Sequence, residues 1–393
     1  MTKMKKWVAV ALVVTMVGGS LAACGSSDSD SESTDETSTE TASQEDTSEE
    51  DDSSSSSSSG ETYKIGYNYY SEGNYALTTL ASNIDMVIEA FGDESVGICD
   101  DSQVDKIIQD VENMISSGCD GVILWLPADN LYETAIDLCT EAGVAFAFAD
   151  KVPDDEELIA ELMENEYFAG AVGPANAEYG TLTAEYALAQ GYTSCIISSN
   201  TADNVTDAPR VEAFTEAFEA GGGTVEEISY CDSSDLITQY VENTLLAHPD
   251  VDFIYATGSD YGIGSVQAVE NQGLDVKVLT SGLDSACVEL LTSGDTLEYV
   301  IGDYWVSGTL AAVAMENYLE GNPLTDENGD IIYVTDIMPF QITADTYDDY
   351  VATFVDSDFY STEELQAMDG ITYDGLMDVI DAFSLEERVA AHE

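Results

Sequence analysis

The sequence predicts an α/β protein built from two doubly wound lobes with parallel sheets. Three observations predict it. Short apolar runs alternate with helical patterns in a β-α-β-α rhythm with short connections, the pattern of a parallel sheet covered by helices on both faces. One of these runs, Val122–Leu126, reads as a strand buried on both faces. The rhythm also restarts midway, yielding too many strands for one sheet of ordinary size.

The elements follow in order. Lys64–Tyr69 reads as a strand and Ala76–Phe91 as a helix, followed by a strand at Val96–Asp100. Gln103–Ile115 is an amphipathic helix with Val104, Ile107, Ile108, Val111, Met114 and Ile115 on one face. Val122–Leu126 is a buried strand ended by Pro127, Leu131–Ala142 a helix stopped by Gly143, and Val144–Ala149 a strand leading into Asp150 and Lys151. After the restart, strands are predicted at Tyr167–Val172, Cys195–Ser198, Val225–Tyr230, Phe253–Ala256, Val276–Thr280 and Leu297–Ile301. Between them lie helices at Tyr179–Gln190, Val211–Ala220, Leu236–Ala247, Ile263–Gln272, Val288–Leu291 and Thr309–Leu319. Ligands of such folds bind outside the carboxyl ends of the strands, so those ends hold the candidate site residues.

Charge removes several classes of function. The 393 residues carry 78 Asp and Glu against 9 Lys and Arg, a formal net charge of −69. Nine bases cannot build the basic face that nucleic acid or an anionic membrane requires. Two histidines leave little scope for His-based metal or acid–base chemistry. Six of the bases lie beyond the N-terminal segment: Lys64, Lys106, Lys151, Arg210, Lys277 and Arg388.

The N-terminus points outside the cytoplasm. Lys3, Lys5 and Lys6 precede an apolar run from Trp7 to Val17, too short for a membrane span and suited to a signal-peptide core. Leu21-Ala22-Ala23-Cys24 resembles the lipobox of bacterial lipoproteins, which implies a signal peptide over 1–23 and lipidation of Cys24. Residues 24–62 are a Ser, Thr, Asp and Glu segment with almost no apolar residue, expected to be a disordered tether. The pattern suggests a protein held on a Gram-positive cell membrane. Cys99, Cys119, Cys139, Cys195, Cys231 and Cys287 form no CxxC pair, and most lie in apolar stretches, so free thiols are expected.

Five stretches carry a resemblance to a known family. They are Lys64-Ile-Gly-Tyr-Asn68, the strand Ser117 to Pro127, the strand Gly143 to Lys151, His248 to Asp260, and Gly282-Leu-Asp284 followed by Ser293 to Asp303. In this order and spacing they resemble the sugar-binding branch of the type-I periplasmic binding proteins, similar to ribose- and galactose-binding receptors of ABC transporters. The resemblance implies two lobes joined by a three-strand hinge: residues 63–174 with 303–338, and 175–302 with 339–393 including a C-terminal extension. It places the crossings near Gly173–Asn176, Gly302–Tyr304 and Met338–Phe340. It implies a ligand clasped between the lobes by Asn74, Tyr75, Asp150, Lys151, Arg210, Ser259, Asp260, Asp284 and Asp303, with Tyr304 and Trp305 as further aromatic candidates. Carboxylates and a guanidinium suit a sugar because its hydroxyls both donate and accept, while apolar ring faces favour an aromatic platform.

The sequence departs from the family pattern in places. Lys151 stands where relatives often have Arg, Asp303 where they often have Gln, and Ser259 where they have Asn. These changes leave a neutral polyol, an amino sugar or another polar cationic group open as ligand.

The implied function is capture of a sugar or polyol by a monomeric, lipid-anchored receptor for an ABC permease and ATPase, with no cofactor, metal, catalysis or nucleic-acid partner. A sensor reporting to a membrane kinase is the alternative. An enzyme is disfavoured because Gly262-Ile-Gly264 is only a fragment of a dinucleotide fingerprint and there is no GxSxG elbow or P-loop. Asp326-Glu-Asn328-Gly329-Asp330 lacks the spacing and closing Glu of an EF-hand and reads as a tight turn. The tail beyond Phe340 reads as extra helices, or alternatively as a cover for the cleft edge.

Overall fold

The computed structural model describes residues 62–392. Cys24, the signal segment and nearly all of the tether lie outside the described residues. No described helix is long and apolar enough to cross a membrane.

The strands are β1 (Lys64–Tyr69), β2 (Glu94–Cys99), β3 (Gly121–Leu124), β4 (Ala145–Ala149), β5 (Phe168–Pro174), β6 (Ser194–Ser199), β7 (Thr224–Tyr230), β8 (Phe253–Ala256), β9 (Lys277–Ser281), β10 (Leu297–Gly302), β11 (Tyr333–Ile337) and β12 (Phe340–Ile342). They form two six-stranded sheets, in the orders β11-β5-β4-β3-β1-β2 and β12-β10-β9-β8-β6-β7. All pairings are parallel except that β12 runs antiparallel to β10. Central strands β3, β4 and β8 are buried at every residue, which is why their sequences are unbroken apolar runs. The edge strands β2 and β7 are less buried than the central ones, and β7 is correspondingly polar.

The helices are α1 (Tyr75–Phe91), α2 (Val104–Ser116), α3 (Tyr132–Ala142), α4 (Glu156–Met163), α5 (Asn176–Gln190), α6 (Asp207–Ala220), α7 (Ile237–Ala247), α8 (Ser259–Gln272), α9 (Ser285–Val288), α10 (Leu290–Ser293), α11 (Val306–Leu319), α12 (Tyr347–Tyr350), α13 (Thr362–Gln366), α14 (Tyr373–Ala382) and α15 (Leu385–His392). One face of the first sheet packs Phe146, Phe148 and Phe168 against Ile107, Val111 and Tyr132 of α2 and α3. One face of the second packs Phe253, Tyr255 and Tyr299 against Phe214 and Phe218 of α6.

The chain passes between the sheets three times: after β5, after β10, and between β11 and β12. These passages coincide with the three stretches singled out in the sequence. Helix α4 and strands β11 and β12 were not anticipated. Asp155 caps α4 by accepting from the Glu157 and Leu158 amides, and Leu158, Ile159, Leu162 and Met163 recur at helical spacing, a short apolar period that was passed over in a stretch crowded with carboxylates. Helices α6 and α8 start four residues before the predicted Val211 and Ile263. Pro209 falls in the first turn of α6, where its missing N–H costs nothing.

The tail departs from expectation. The sequence places 339–393 with the second lobe, yet α13 packs on α1, and Gln366 donates to the Ala90 carbonyl at 2.8 Å. Asn317 of α11 donates to the Met368 carbonyl at 3.0 Å. The reason is that α11 is apolar on all sides and needs covering on the face turned away from the sheet. The six cysteines of the described body are free thiols, five of them buried. In the Asp326–Asp330 turn, Asp326 Oδ1 accepts from the Asn328 and Asp330 amides at 2.8 and 3.0 Å, so the loop is closed on itself.

Helix α11 also carries a destabilising group. Glu316 is fully buried, and neither carboxyl oxygen has a hydrogen-bond partner. Burial, then the neighbouring Asp93, with Glu320 and Asp369 further off, pushes its pKa from 4.5 to about 10. The folded state therefore binds a proton that the unfolded chain releases, and stability falls as pH rises through that window. Glu316→Gln is expected to stabilise the protein by about 3 kcal/mol at neutral pH and by much less near pH 5. Melting curves of both proteins from pH 5 to 8 test this: the gap in Tm must widen with pH, and a constant gap contradicts it.

Candidate functional site

A cavity of about 350 Å³ lies at the carboxyl ends of strands from both sheets. Asn74, Asp150, Lys151, Arg210, Ser259, Asp260, Asp284 and Asp303, eight of the nine residues singled out in the sequence, line it. Tyr75 does not. It is the first residue of α1 and lines a neighbouring cavity, where its ring meets Trp305 edge-on at 5.8 Å. The phase of the helix causes the difference: Asn74 is the N-cap, its Oδ1 accepting from the Leu77 amide at 3.1 Å, and the next residue is turned away.

Arg210 is the most elaborately held group. It is 9% exposed. Its Nε and Nη2 donate to Asn176 Oδ1 at 3.0 and 2.8 Å, its Nη1 donates to the Thr257 carbonyl at 2.9 Å, and its guanidinium lies 4.0 Å over the Tyr179 ring. Gly180 makes this possible. A Cβ there would stand 2.1 Å from the Arg210 carbonyl oxygen, so only glycine lets α5 and α6 approach this closely. Lys151 donates to the Thr206 hydroxyl. Burial, and then Arg210, lowers the Lys151 pKa, against the pull of Asp150 and Asp207.

Neither base of the cavity forms an ion pair. Among the described residues, Lys64, Lys106 and Arg388 are paired with carboxylates elsewhere, and Lys277 donates to the Asp295 carbonyl. Lys151 and Arg210 are held instead by an amide oxygen, a backbone carbonyl and a hydroxyl. Their charge is oriented without being cancelled by an adjacent carboxylate.

The carboxylates are set at strand ends. Asp150 follows β4 with φ of 65°, in the left-handed region that non-glycine residues rarely adopt. Its Oδ2 accepts from the Trp125 indole N–H at 3.0 Å. Asp303 follows β10 and is 3% exposed. Its Oδ1 accepts from the Trp305 amide at 2.9 Å, while Oδ2 is shut off from solvent without a hydrogen-bond partner. Burial, then Asp150, raises its pKa to about 6, with Arg210 and the Tyr179 hydroxyl opposing. Asp284 is raised to about 6 by burial and then by Asp260. The backbone turn at Gly282, φ 97°, brings Ser259 close enough for its Oγ to accept from the Asp284 amide at 3.2 Å.

Sequence reasoning missed Trp125, Tyr70, Asp207 and Tyr179. Trp125 closes one wall with Tyr70, ring centroids 5.6 Å apart. Its backbone is clamped by Asn68, which accepts from the Trp125 amide at 2.9 Å and donates to its carbonyl at 3.0 Å and to buried Asp100 at 2.9 Å. A signal for Trp125 did exist: an aromatic with a polar N–H at the end of an otherwise aliphatic strand. Also in the lining, Tyr304 and Trp305 both have φ of 52°, and Asn83 of α1 holds their carbonyls at 2.8 and 3.1 Å. Two adjacent left-handed non-glycine residues mark a strained turn at a cavity wall, the kind of place where strain is kept for a function.

Two doubly wound sheets joined by three crossings around a polar cavity form the architecture of a two-lobed binding protein. The chain belongs to the periplasmic binding protein family: residues 65–323 match the family model described as periplasmic binding protein domain. No curated protein matches the chain. Solved structures share the fold at low identity. An ABC transporter solute-binding protein from Mycobacterium smegmatis with bound glycerol is 19% identical, with a TM-score of 0.62 over 76% of this chain and 98% of that one. A periplasmic solute-binding protein of an ABC transporter from Actinobacillus succinogenes with bound D-allose is 19% identical, with a TM-score of 0.63 over 74% of this chain and all of the other. An ABC transporter solute-binding protein from Bacillus halodurans with bound myo-inositol is 18% identical, with a TM-score of 0.61 over 75% of this chain and 99% of that one.

Proposed function

We propose that this protein is an extracytoplasmic solute receptor that captures a sugar or related polyol for uptake by an ABC permease and its ATPase. The observation that carries this reading is the lining of the cavity. Carboxylates, an oriented guanidinium and an ammonium converge with Trp125, Tyr70 and Trp305, matching a ring that presents hydroxyls at its edge and C–H groups on its face. The role is binding rather than chemistry. Ligand contacts residues of both lobes, so it favours the arrangement in which they are closed, and a permease reads that arrangement. Lipidation of Cys24, a monomeric state and a Gram-positive membrane surface belong to the same proposal and rest on the N-terminal sequence alone.

A thermal-shift screen of the body against sugars, polyols, nucleosides and amino acids tests the reading. A binder raises Tm by mass action, by an amount that grows with ligand concentration above Kd. A response confined to nucleosides or amino acids would refute the sugar assignment while keeping the receptor.

A further inference from the structure

The Trp125–Tyr70 wall of the cavity is held from outside by one turn. Trp125 lies just beyond β3, where the parallel ladder with β1 ends at Tyr67 and Ile123. There the side chain of Asn68 takes over the ladder's role, because an amide can donate and accept side by side. Its Oδ1 accepts from the Trp125 amide at 2.9 Å, and its Nδ2 donates to the Trp125 carbonyl at 3.0 Å. The second N–H of that Nδ2 goes to Asp100 Oδ2 at 2.9 Å. Asn68 is 1% exposed and Asp100 fully buried, and neither lines the cavity. Asp100 thereby fixes the amide's orientation: a flipped Asn68 would set its oxygen against both the Trp125 carbonyl and the Asp100 carboxylate.

The same turn holds Tyr70. Asp101 and Ser102 have φ of 53° and 60°, two adjacent left-handed non-glycine residues, as at Tyr304 and Trp305. The Ser102 amide donates to the Tyr70 carbonyl at 2.7 Å, and the Tyr70 hydroxyl donates to the Ser102 carbonyl at 2.9 Å. Lys106 of α2 fastens the turn from its other side. Its Nζ donates to the Cys99 carbonyl at 2.7 Å and pairs with Asp101 at 3.1 Å and Asp110 at 3.3 Å. Trp125 passes the constraint on, since its indole N–H donates to Asp150 Oδ2 at 3.0 Å.

Resting on the sugar or polyol reading above, we propose that Asp100 is a positioning residue for ligand binding: without lining the cavity it locks the Asn68 amide, which sets Trp125 and, through the indole, the Asp150 carboxylate. What acts is the acceptor oxygen facing Asn68, so Asp100→Asn keeps the device and Asp100→Ala loses it. Trp125 and Trp305 are the tryptophans of the body. Labelled as 5-fluorotryptophan, each gives one fluorine resonance, assigned with Trp305→Phe, and Trp305 is the control for general loosening. In the ligand-free protein Asp100→Ala shifts the Trp125 resonance and leaves that of Trp305 in place, while Asp100→Asn restores it. Glucose, galactose, ribose and myo-inositol are then titrated calorimetrically. Whichever binds the parent loses about tenfold in Asp100→Ala, the size of one hydrogen bond, and stays within about twofold in Asp100→Asn. Asp100→Leu, which fills the space without an acceptor, takes the place of Asp100→Ala if that variant does not fold. The inference is overturned by a Trp125 resonance that does not move, by both resonances moving together, by unchanged affinity in Asp100→Ala, or by Asp100→Asn being equally impaired. If nothing in the panel binds the parent, the sugar reading falls and the two resonances decide the inference alone.

Discussion

Arg210→Ala loses ligand affinity by about two orders of magnitude or more. A guanidinium has five N–H groups, and three of them are committed to Asn176 and Thr257. In the proposed binding mode the remaining two serve the ligand. Hydrogen bonds to a charged group are each worth about 1.5–3 kcal/mol, so losing two gives roughly 10²–10⁴ in Kd. The truncation also strips the partners from Asn176 Oδ1 and the Thr257 carbonyl and removes the cation that helps Asp207 and Asp303 ionise. Arg210→Lys does not rescue binding, because a single ammonium cannot hold Asn176, Thr257 and a ligand in one plane. Asn176→Ala keeps the charge but frees the guanidinium to swing, and a loss of about tenfold is expected, the size of one hydrogen bond. Titration calorimetry on the best ligand of the screen, with melting curves to confirm folding, gives the answer. Arg210→Ala binding within threefold of the parent would remove Arg210 from the site.

Arg210 also shows what a sequence can disclose about a site. In a chain with so few bases, a basic residue at a position that the family resemblance assigns to the cleft is conspicuous, although it lies in the first turn of α6 and not at a strand end. Asp150 and Lys151 were readable for a related reason: the apolar run of β4 ends so abruptly that the next two polar residues must sit at its carboxyl end. Tyr179 and Asp207 were not readable. Their place depends on α5 and α6 meeting at Gly180, a tertiary approach with no local pattern. Tyr75 failed by one residue of helix phase, since the capping role of Asn74 turns the following side chain out of the cavity. The fold divides in the same way. Strands buried on both faces are written as apolar runs, whereas β12 is three residues long and exists because β10 offers it an edge.

Truncation after Thr346 is expected to abolish cooperative folding. The tail is not an appendage. Tyr350, Phe354 and Phe359 are almost wholly buried and close on Tyr304, their ring centroids 6.1, 4.8 and 5.5 Å from it. The Tyr304 hydroxyl donates to the Phe354 carbonyl, and the Tyr350 hydroxyl donates to the Leu283 carbonyl at 3.3 Å. Burying an aromatic side chain contributes about 1.5–3 kcal/mol, and ring–ring geometry adds about 1 kcal/mol for each close pair. Three such rings, together with the exposed faces of α1 and α11, outweigh the 5–15 kcal/mol by which a domain is usually stable. Arg388→Met is the milder probe. Arg388 is 4% exposed, donates to the Phe359 carbonyl at 2.9 Å and to Glu364 at 3.1 Å, and stacks on Tyr360 at 4.1 Å. Removing it strands those acceptors at a cost of about 3 kcal/mol, read as a lower Tm. Because Tyr304 belongs both to this aromatic cluster and to the cavity wall, Phe354→Ala lowers ligand affinity along with Tm, whereas Arg388→Met lowers Tm alone. A truncated body that melts cooperatively at the parent temperature and binds as tightly would mean that α1 and α11 need no cover, which their apolar faces argue against.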